Sequence, residues 1–242
     1  MVSKSQIKLV RQLGQKKYRD QHQLFVAEGL KVIREFVDEN YQLHQLYALE
    51  ERHFPSQHVS LVNQAQMKAM SDLKTPSDAL AVFAMPKTQT SSQSDVVLAL
   101  ESIQDPGNLG TIIRLCDWFG IQNIICSSDT VDCYNPKVVR STMGSLARVQ
   151  VLYKDLQSWL MEVNDYQIVA TSMTGQSIYE HSFDKPTVLL IGNEGRGLSK
   201  QLTELSHKTL SIPRFGGAES LNAAMATGII LAEACRNTST EK

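Results

Sequence analysis

The stretch VVLALESIQDPGNLGTIIRLCDWFG, residues 96–120, holds a complete strand, turn and helix. The apolar run at its start predicts a strand over residues 96–103, and Asp105-Pro106-Gly107 predicts the turn that ends it. A helix should follow, with Asn108 as its N-cap. Further strands are predicted at residues 123–128, 148–153, 167–173, 187–192 and 208–213, with helical segments between most of them. This alternation is typical of an α/β fold whose mainly parallel sheet is covered on both faces.

A polar segment rich in Ser, Thr and Gln, residues 86–95, divides the chain. We therefore expect a small α/β domain at residues 1–85, a linker at 86–95 and a larger α/β domain at 96–242. In the small domain, helices are predicted near residues 5–14, 30–40 and 63–73, and strands at 24–29, 43–49, 58–62 and 79–85.

The composition excludes several classes of protein. The 24 basic and 25 acidic residues nearly balance, so no overall field marks a nucleic-acid or membrane binder. No apolar run approaches the ~20 residues of a membrane span, and the N-terminus lacks the apolar core of a secretory signal. The 4 cysteines form no C-x-x-C pair, which predicts buried thiols in a cytoplasmic protein. The 6 histidines show no metal-binding spacing, and we predict no metal site.

The loop after the first strand of the larger domain carries Asn108 and Arg114. Asn108 by itself is explained as a helix cap. Arg114 is flanked by apolar residues on both sides, which predicts a largely buried helix. A buried guanidinium needs an anionic or oxygen-rich partner, so Arg114 is a candidate functional residue.

A second loop, IGNEGRGLS at residues 191–199, contains three glycines in the order G-x-x-G-x-G. Glycines between a strand and a helix are common in phosphate-binding loops, but this order is neither the Rossmann nor the P-loop pattern. Glu194 lies inside the turn and would repel a phosphate. The loop therefore suits a ligand that is neutral or cationic at this point.

The third loop is part of IPRFGGAESLNAAMATGII, residues 212–230. Ser220 is predicted to cap a helix that begins at Leu221, with Asn222 in its first turn. The Ala and Gly residues of that helix predict close approach of another backbone. In parallel sheets, ligands bind at the carboxyl ends of the strands, where all three loops should lie.

Taken together, DPGNLGTIIR, IGNEGRGLS and ESLNAAMATGI resemble, in that order, the motifs of the SpoU (TrmH-like) branch of the SPOUT RNA methyltransferases. The resemblance covers residues 101–231, and residues 1–85 resemble, more loosely, the substrate-binding domain that often precedes this catalytic domain. It implies a trefoil knot in the larger domain, a homodimer formed through that domain, and S-adenosylmethionine as methyl donor. The acceptor would be a ribose 2′-hydroxyl in RNA. Ribosomal (23S) RNA is favoured, by family analogy; a transfer RNA substrate and a non-catalytic RNA-binding module of the same fold are the alternatives.

The resemblance also implies roles for individual residues. Asn108 and Arg114 match the active-site residues of the first motif, Glu194 that of the second, and Ser220 and Asn222 the polar pair of the third. The cofactor would be held by the backbone of Gly192, Ile212 and Leu221, with Thr171 as a further candidate. Arg114 would hold the hydroxyl and stabilise developing alkoxide charge, because a guanidinium does not lose its proton near neutral pH. Arg214 departs from the family, which usually has Met there, and we expect it to face RNA.

A cluster of positive charge in residues 1–19 supplies a candidate RNA-binding surface. No acidic residue interrupts it, and Tyr18 could stack on a base. Its basic residues are Lys4, Lys8, Arg11, Lys16, Lys17 and Arg19. The alternative is a solvated helix face without a ligand. A nucleotide-dependent enzyme built on the glycine loop is a further alternative for the whole chain.

Overall fold

The structure is a computed structural model that describes residues 2–55, 57–86 and 95–236. The described residues divide into two compact units, drawn from Met1–Gln89 with Asp132–Arg148 and from Thr90–Val131 with Val149–Lys242. Residues 87–94 of the predicted linker lie outside the described residues, so the boundaries at 85 and 96 stay predictions.

The helices are α1 Lys4–Gln12, α2 Lys16–His22, α3 Leu30–Asp38, α4 Gln64–Met70, α5 Pro106–Trp118, α6 Pro136–Ser141, α7 Leu156–Glu162, α8 Lys200–Glu204 and α9 Ala223–Ala234. The strands are β1 Leu24–Glu28, β2 Leu43–Ala48, β3 Val59–Leu61, β4 Ala79–Ala84, β5 Val96–Leu100, β6 Asn123–Cys126, β7 Gln150–Tyr153, β8 Gln167–Ser177, β9 Thr187–Ile191 and β10 Lys208–Ser211. No helix in the described part of the chain is both long and apolar enough to cross a membrane.

The first unit is built on a four-stranded sheet in the order β1-β4-β2-β3. β4 pairs antiparallel with β1 and β2, and β2 pairs parallel with β3. Ser3 and Asn63 cap α1 and α4 with reciprocal hydrogen bonds to the glutamine three residues later, which explains where these helices begin. The predicted helix at 5–14 is confirmed as α1, whereas α2 was not predicted.

The segment Asp132–Arg148 belongs to this first unit, although the sequence places it within the predicted larger domain. Tyr134 joins a cluster of aromatic rings and packs 4.7 Å from Phe25, centroid to centroid. Gly144 has φ +104°, and a Cβ there would lie 2.3 Å from Cγ of Glu35. Burial of an aromatic ring and this close approach explain why the segment packs with the N-terminal part of the chain.

The second unit has a six-stranded sheet in the order β10-β8-β9-β5-β6-β7, in which every pairing is parallel. This confirms the predicted α/β class. β8 is longer than predicted, and its pairing with β10 jumps from Ala170 to Gln176, so residues 171–175 lie outside that ladder. The trefoil knot stays a prediction.

Helix α9 packs against α5, and small residues make this contact possible. A Cβ added at Gly228 would lie 3.4 Å from Cδ1 of Leu115, which leaves little room for a larger side chain. The buried face of α9 follows helical spacing and consists of Ala223, Ala224, Thr227, Ile230 and Leu231. The Ala- and Gly-rich sequence is therefore the packing face of a helix whose N-terminus faces the third loop.

Candidate active site

Helix α5 begins one turn earlier than the sequence predicted. Asp105 is its N-cap and Pro106 its first residue; Oδ1 of Asp105 accepts a hydrogen bond from the backbone N–H of Asn108 at 2.8 Å. Proline at the first helical position is favoured because its missing N–H would have no partner there. The predicted cap at Asn108 is therefore wrong. Its side-chain amide is left available for other contacts.

The cap of α9 is also displaced from the predicted position. Oδ1 of Asn222 accepts hydrogen bonds from the backbone N–H groups of Ala224 at 3.0 Å and Met225 at 3.2 Å. The helix begins at Ala223 rather than Leu221, and the prediction that Ser220 is the cap is wrong. Ser220 is exposed in the preceding loop.

A chain of hydrogen bonds joins the three motifs. Nδ2 of Asn222 donates to Oδ1 of Asn108 at 2.8 Å, and Nδ2 of Asn108 donates to Oε1 of Glu194 at 2.7 Å. The direction of the chain is fixed at both ends, because Oδ1 of Asn222 is occupied by two helix N–H groups and an ionised carboxylate only accepts. Three residues from loops far apart in sequence thus form one polar cluster beyond the ends of β5, β9 and β10.

The glycine loop holds Glu194 in a closed turn. Asn193 and Gly197 exchange backbone hydrogen bonds at 3.1 and 2.9 Å. Gly197 has φ +69°, and a Cβ at Gly192 would lie 2.3 Å from the carbonyl carbon of Gly197. Both glycines are therefore required by the turn itself, in agreement with the tight turn that the sequence allowed.

Asn193 is a structural member of the site that the sequence analysis missed. Its Nδ2 donates to the carbonyl oxygen of Ser102 at 2.8 Å, while Oδ1 accepts from the N–H groups of Gly195 at 3.0 Å and Arg196 at 3.1 Å. The signal was present, because asparagine two residues before glycine is typical of a turn in which the side chain binds the backbone.

Arg114 is exposed, which contradicts the predicted burial. The buried face of α5 is formed by Leu109, Gly110, Ile112, Ile113 and Cys116. Arg114 lies on the exposed stripe with Thr111 and Trp118, whose side chain is 84% exposed. Within the described residues its guanidinium has no hydrogen-bond or ion-pair partner, so Arg114 is not joined to Glu194 in this chain.

The predicted cofactor residues differ in what they can offer a ligand. The backbone N–H groups of Gly192, Ile212 and Leu221 form no hydrogen bond with any other described residue, so three donors are available at this edge of the sheet. Thr171 lies inside β8 rather than at its end, and its hydroxyl already donates to the carbonyl oxygen of Leu190 at 2.7 Å. A ligand with polar acceptors fits the three amides better than it fits Thr171.

In the basic segment of the first unit, Arg19 does not contribute to an exposed surface. It is 1% exposed, forms an ion pair with Asp132, and donates to the carbonyl oxygen of Leu13 at 2.9 Å. The prediction that Arg19 contacts RNA is therefore wrong, because its guanidinium is buried. The other five basic residues, Lys4, Lys8, Arg11, Lys16 and Lys17, are exposed.

No three or more His, Cys, Asp or Glu residues in the described ranges are grouped so that they could hold a metal ion. None of the four cysteines, all of which lie in the described ranges, forms a disulfide bond, and Cys116, Cys126 and Cys133 are buried. Among the described residues, the side chains that hydrogen bonds bring together at the site are the amides of Asn108 and Asn222 and the carboxylate of Glu194.

Comparison with known proteins places this arrangement in a family. Residues 95–232 match the SpoU rRNA methylase family, and residues 4–81 match an MRM3-like substrate-binding domain. The chain is 28% identical to the 23S rRNA (guanosine(2553)-2′-O)-methyltransferase RlmP of Bacillus subtilis (strain 168), over 91% of this chain and 92% of the relative.

Two solved structures are similar over almost the whole chain. An rRNA methyltransferase from Sinorhizobium meliloti with bound AdoMet is 31% identical, with a TM-score of 0.88 and coverage of 99% of this chain and 98% of the other. The SpoU methyltransferase AviRb from Streptomyces viridochromogenes, also in complex with AdoMet, is 26% identical, with a TM-score of 0.85 and coverage of 97% and 98%. With the matched residues, the sheet order and the joined motifs, the chain belongs to the SpoU rRNA methylase family.

Proposed function

We propose that this protein transfers a methyl group from S-adenosylmethionine to a ribose 2′-hydroxyl in ribosomal RNA. The observation that carries the proposal is the hydrogen-bond chain from Asn222 through Asn108 to Glu194, since it assembles the three motifs into one polar site. The full-length similarity to a 23S rRNA 2′-O-methyltransferase favours ribosomal RNA over transfer RNA.

The cofactor would lie along the edge formed by Gly192, Ile212 and Leu221. Their unpaired N–H groups provide donors for its polar atoms, and the half-exposed Leu221 side chain provides apolar contact. Glu194 in the same loop suits a ligand that carries positive charge, as a sulfonium does. When bound, S-adenosylmethionine supplies the electrophilic methyl group.

The residues of the chain would position the acceptor rather than react covalently. The exposed Ser220 hydroxyl and the Asn222 amide can hold the ribose, and Asn108 is oriented by its bond to Glu194. Because methyl transfer is a direct displacement, alignment of the hydroxyl with the methyl group provides much of the rate. Arg114 would stabilise the negative charge that develops on the ribose oxygen.

We further propose that the protein is a homodimer formed through its second unit and that Arg114 acts in the site of the partner subunit. Arg114 has no partner within the described chain and shares an exposed stripe with Trp118. Large apolar side chains exposed in this unit, Trp118 at 84% and Met225 at 62%, support an interface there.

RNA would also be bound by the five exposed basic residues of α1 and α2, which are Lys4, Lys8, Arg11, Lys16 and Lys17. Arg214 is exposed in the third loop and donates to the carbonyl oxygen of Ala218 at 3.3 Å. Its other guanidinium nitrogens are available for phosphate, which supports the expectation that it faces RNA.

The proposal is tested by incubating the purified protein with tritiated S-adenosylmethionine and either ribosomal or transfer RNA from a strain that lacks the gene. We expect label in 23S rRNA, at a nucleotide that then resists alkaline hydrolysis on its 3′ side. Label in transfer RNA alone would show that transfer RNA, and not ribosomal RNA, is the substrate. RNA binding without any label would favour the non-catalytic alternative.

A further inference from the structure

Ser102, in the loop between β5 and α5, has an unusual backbone conformation. Its φ is +56°, in the left-handed region that residues with a Cβ avoid, and it is 8% exposed. Its carbonyl oxygen accepts the hydrogen bond from Asn193 that ties the glycine loop to this segment. A buried non-glycine residue in such a conformation persists only where its surroundings impose it.

The surroundings of Ser102 come from the loop after β6. The hydroxyl of Ser102 donates to Oδ2 of Asp129, and its N–H donates to the hydroxyl of Ser127 at 2.8 Å. Ser127 in turn donates to Oδ1 of Asp129 at 2.6 Å. Both carboxylate oxygens of Asp129 are therefore used to hold one short loop against its neighbour.

Further bonds fasten the same two segments. The N–H of Val131 donates to the carbonyl oxygen of Ile103 at 2.9 Å, and the side-chain amide of Gln104 donates to the carbonyl oxygen of Asp129. The segment that is fastened leads directly into the Asp105 cap of α5, and so into Asn108. The hydrogen bonds from Ser102 and Ser127 also lower the pKa of Asp129 below its usual value, so the carboxylate stays an acceptor at neutral pH.

We propose that Asp129 and Ser102 are positioning residues of the methyltransferase site. Asp129 holds Ser102 in the left-handed conformation, Ser102 presents its carbonyl oxygen to Asn193, and Asn193 sets the turn that carries Glu194. Through this connection the loop after β6, which contains no residue of the three motifs, determines where the Asn108–Glu194 pair lies. This inference rests on the proposed function for its effect on methyl transfer.

Glycine at position 102 separates the backbone conformation from the hydroxyl group. Glycine adopts positive φ without a steric cost, whereas alanine does not. In single-turnover transfer to ribosomal RNA from the gene-deletion strain, we expect Ser102→Ala and Asp129→Ala each to lower the rate by about tenfold, since small displacements at a reacting centre are costly. Ser102→Gly should stay within about twofold of the parent, and Ser102→Gly with Asp129→Ala should recover to within about threefold.

Ser128→Ala is the matched control, because Ser128 is the exposed neighbour of Asp129 and its side chain makes no hydrogen bond among the described residues. It should behave as the parent protein does. Equally slow transfer by Ser102→Gly and Ser102→Ala would overturn the proposal, because the hydroxyl itself would then be required. An Asp129→Ala rate equal to that of Ser128→Ala would overturn it as well.

Hydrogen exchange provides a readout that does not depend on activity. The N–H groups of Gly195 and Arg196 are bound by Asn193 and should exchange faster in Asp129→Ala, and at the parent rate in the double variant. Absence of transfer by the parent protein would refute the proposed function while leaving this test intact. Unchanged exchange in Asp129→Ala would refute the positioning role alone.

Discussion

Replacing Asn222 by aspartate changes one NH₂ group into an oxygen and reverses what position 222 can offer Asn108. The new carboxylate still accepts from the N–H groups of residues 224 and 225, so the cap of α9 is retained. Its second oxygen, however, would face Oδ1 of Asn108 at the present 2.8 Å. If the Asn108 amide rotates to donate to this carboxylate, its oxygen then faces Glu194 across the present 2.7 Å.

Either arrangement loses one hydrogen bond, which costs about 1–1.5 kcal/mol. The negative charge at a helix N-terminus offsets about 0.3–1 kcal/mol of this cost, so the free energy of unfolding should fall by only about 0–1.2 kcal/mol. Methyl transfer should suffer more, by about tenfold to a hundredfold, because the acceptor ribose is misaligned. Both effects are measured on one preparation, by urea denaturation and by single-turnover transfer.

A compensating change tests the direction of the chain. With Glu194→Gln added to Asn222→Asp, Asn108 can donate to the carboxylate at position 222 and accept from the new amide at position 194, so both hydrogen bonds form in reverse. The double-mutant cycle should show a favourable coupling of about 1–2 kcal/mol in unfolding free energy. Glu219→Gln in the Asn222→Asp background is the matched control, because it removes a charge from the same loop without restoring a bond. A coupling no larger than that of the control would refute the directed chain.

Three further predictions concern the dimer, the first unit and pH. If Arg114 acts across the interface, Arg114→Ala and Asn222→Ala proteins that are mixed and reassociated should recover about one quarter of the parent activity. Half of the dimers would then contain one subunit of each kind, and one of the two sites in each such dimer would be intact. If no activity is recovered, Arg114 acts in the site of its own subunit. Asp132→Ala leaves the buried Arg19 without its ion-pair partner and should lower the free energy of unfolding, measured in urea, by about 3 kcal/mol. Replacement of both residues by apolar ones should lower it much less, because no buried charge is then left unpaired. Burial, aided by a nearby lysine ammonium, lowers the pKa of His181 below its usual 6.5, so near this pH the folded state binds fewer protons than the unfolded state does. The contribution of neutral His181 to the free energy of unfolding should therefore be fully present above pH 6.5 and decline below it. His181→Gln should flatten this decline, measured between pH 7.5 and 5.5. If the free energy of unfolding of His181→Gln falls as steeply as that of the parent protein, the decline is caused by other titrating groups.

The sequence predicted the parallel α/β class and the three loops correctly, because both depend on local signals. Short apolar runs alternating with helical segments need a sheet covered on both faces, and strands such as β5 and β9 were found close to where the pattern placed them. Glu194 and Asn222 were singled out in loops that follow predicted strands, whereas Asn108 became a functional candidate only through the resemblance to the SpoU motifs. Their meeting follows from the rule that loops at the carboxyl ends of parallel strands share one edge.

What the sequence could not determine depended on which face a residue takes and what it meets there. Apolar neighbours along α5 suggested that Arg114 was buried, but a helix places successive residues on different faces, and Arg114 lies on the exposed one. Arg19 had the pattern of a surface charge, yet Asp132, more than a hundred positions away, buries and pairs it. The same limit applies to the segment 132–148 and to the conformation of Ser102. Both were decided by contacts between residues distant in sequence, because burial and hydrogen-bond partners are properties of the packed chain and not of any window along it. The caps at Asp105 and Asn222 are different, because each rests on hydrogen bonds to residues two or three positions on, which the sequence could have indicated.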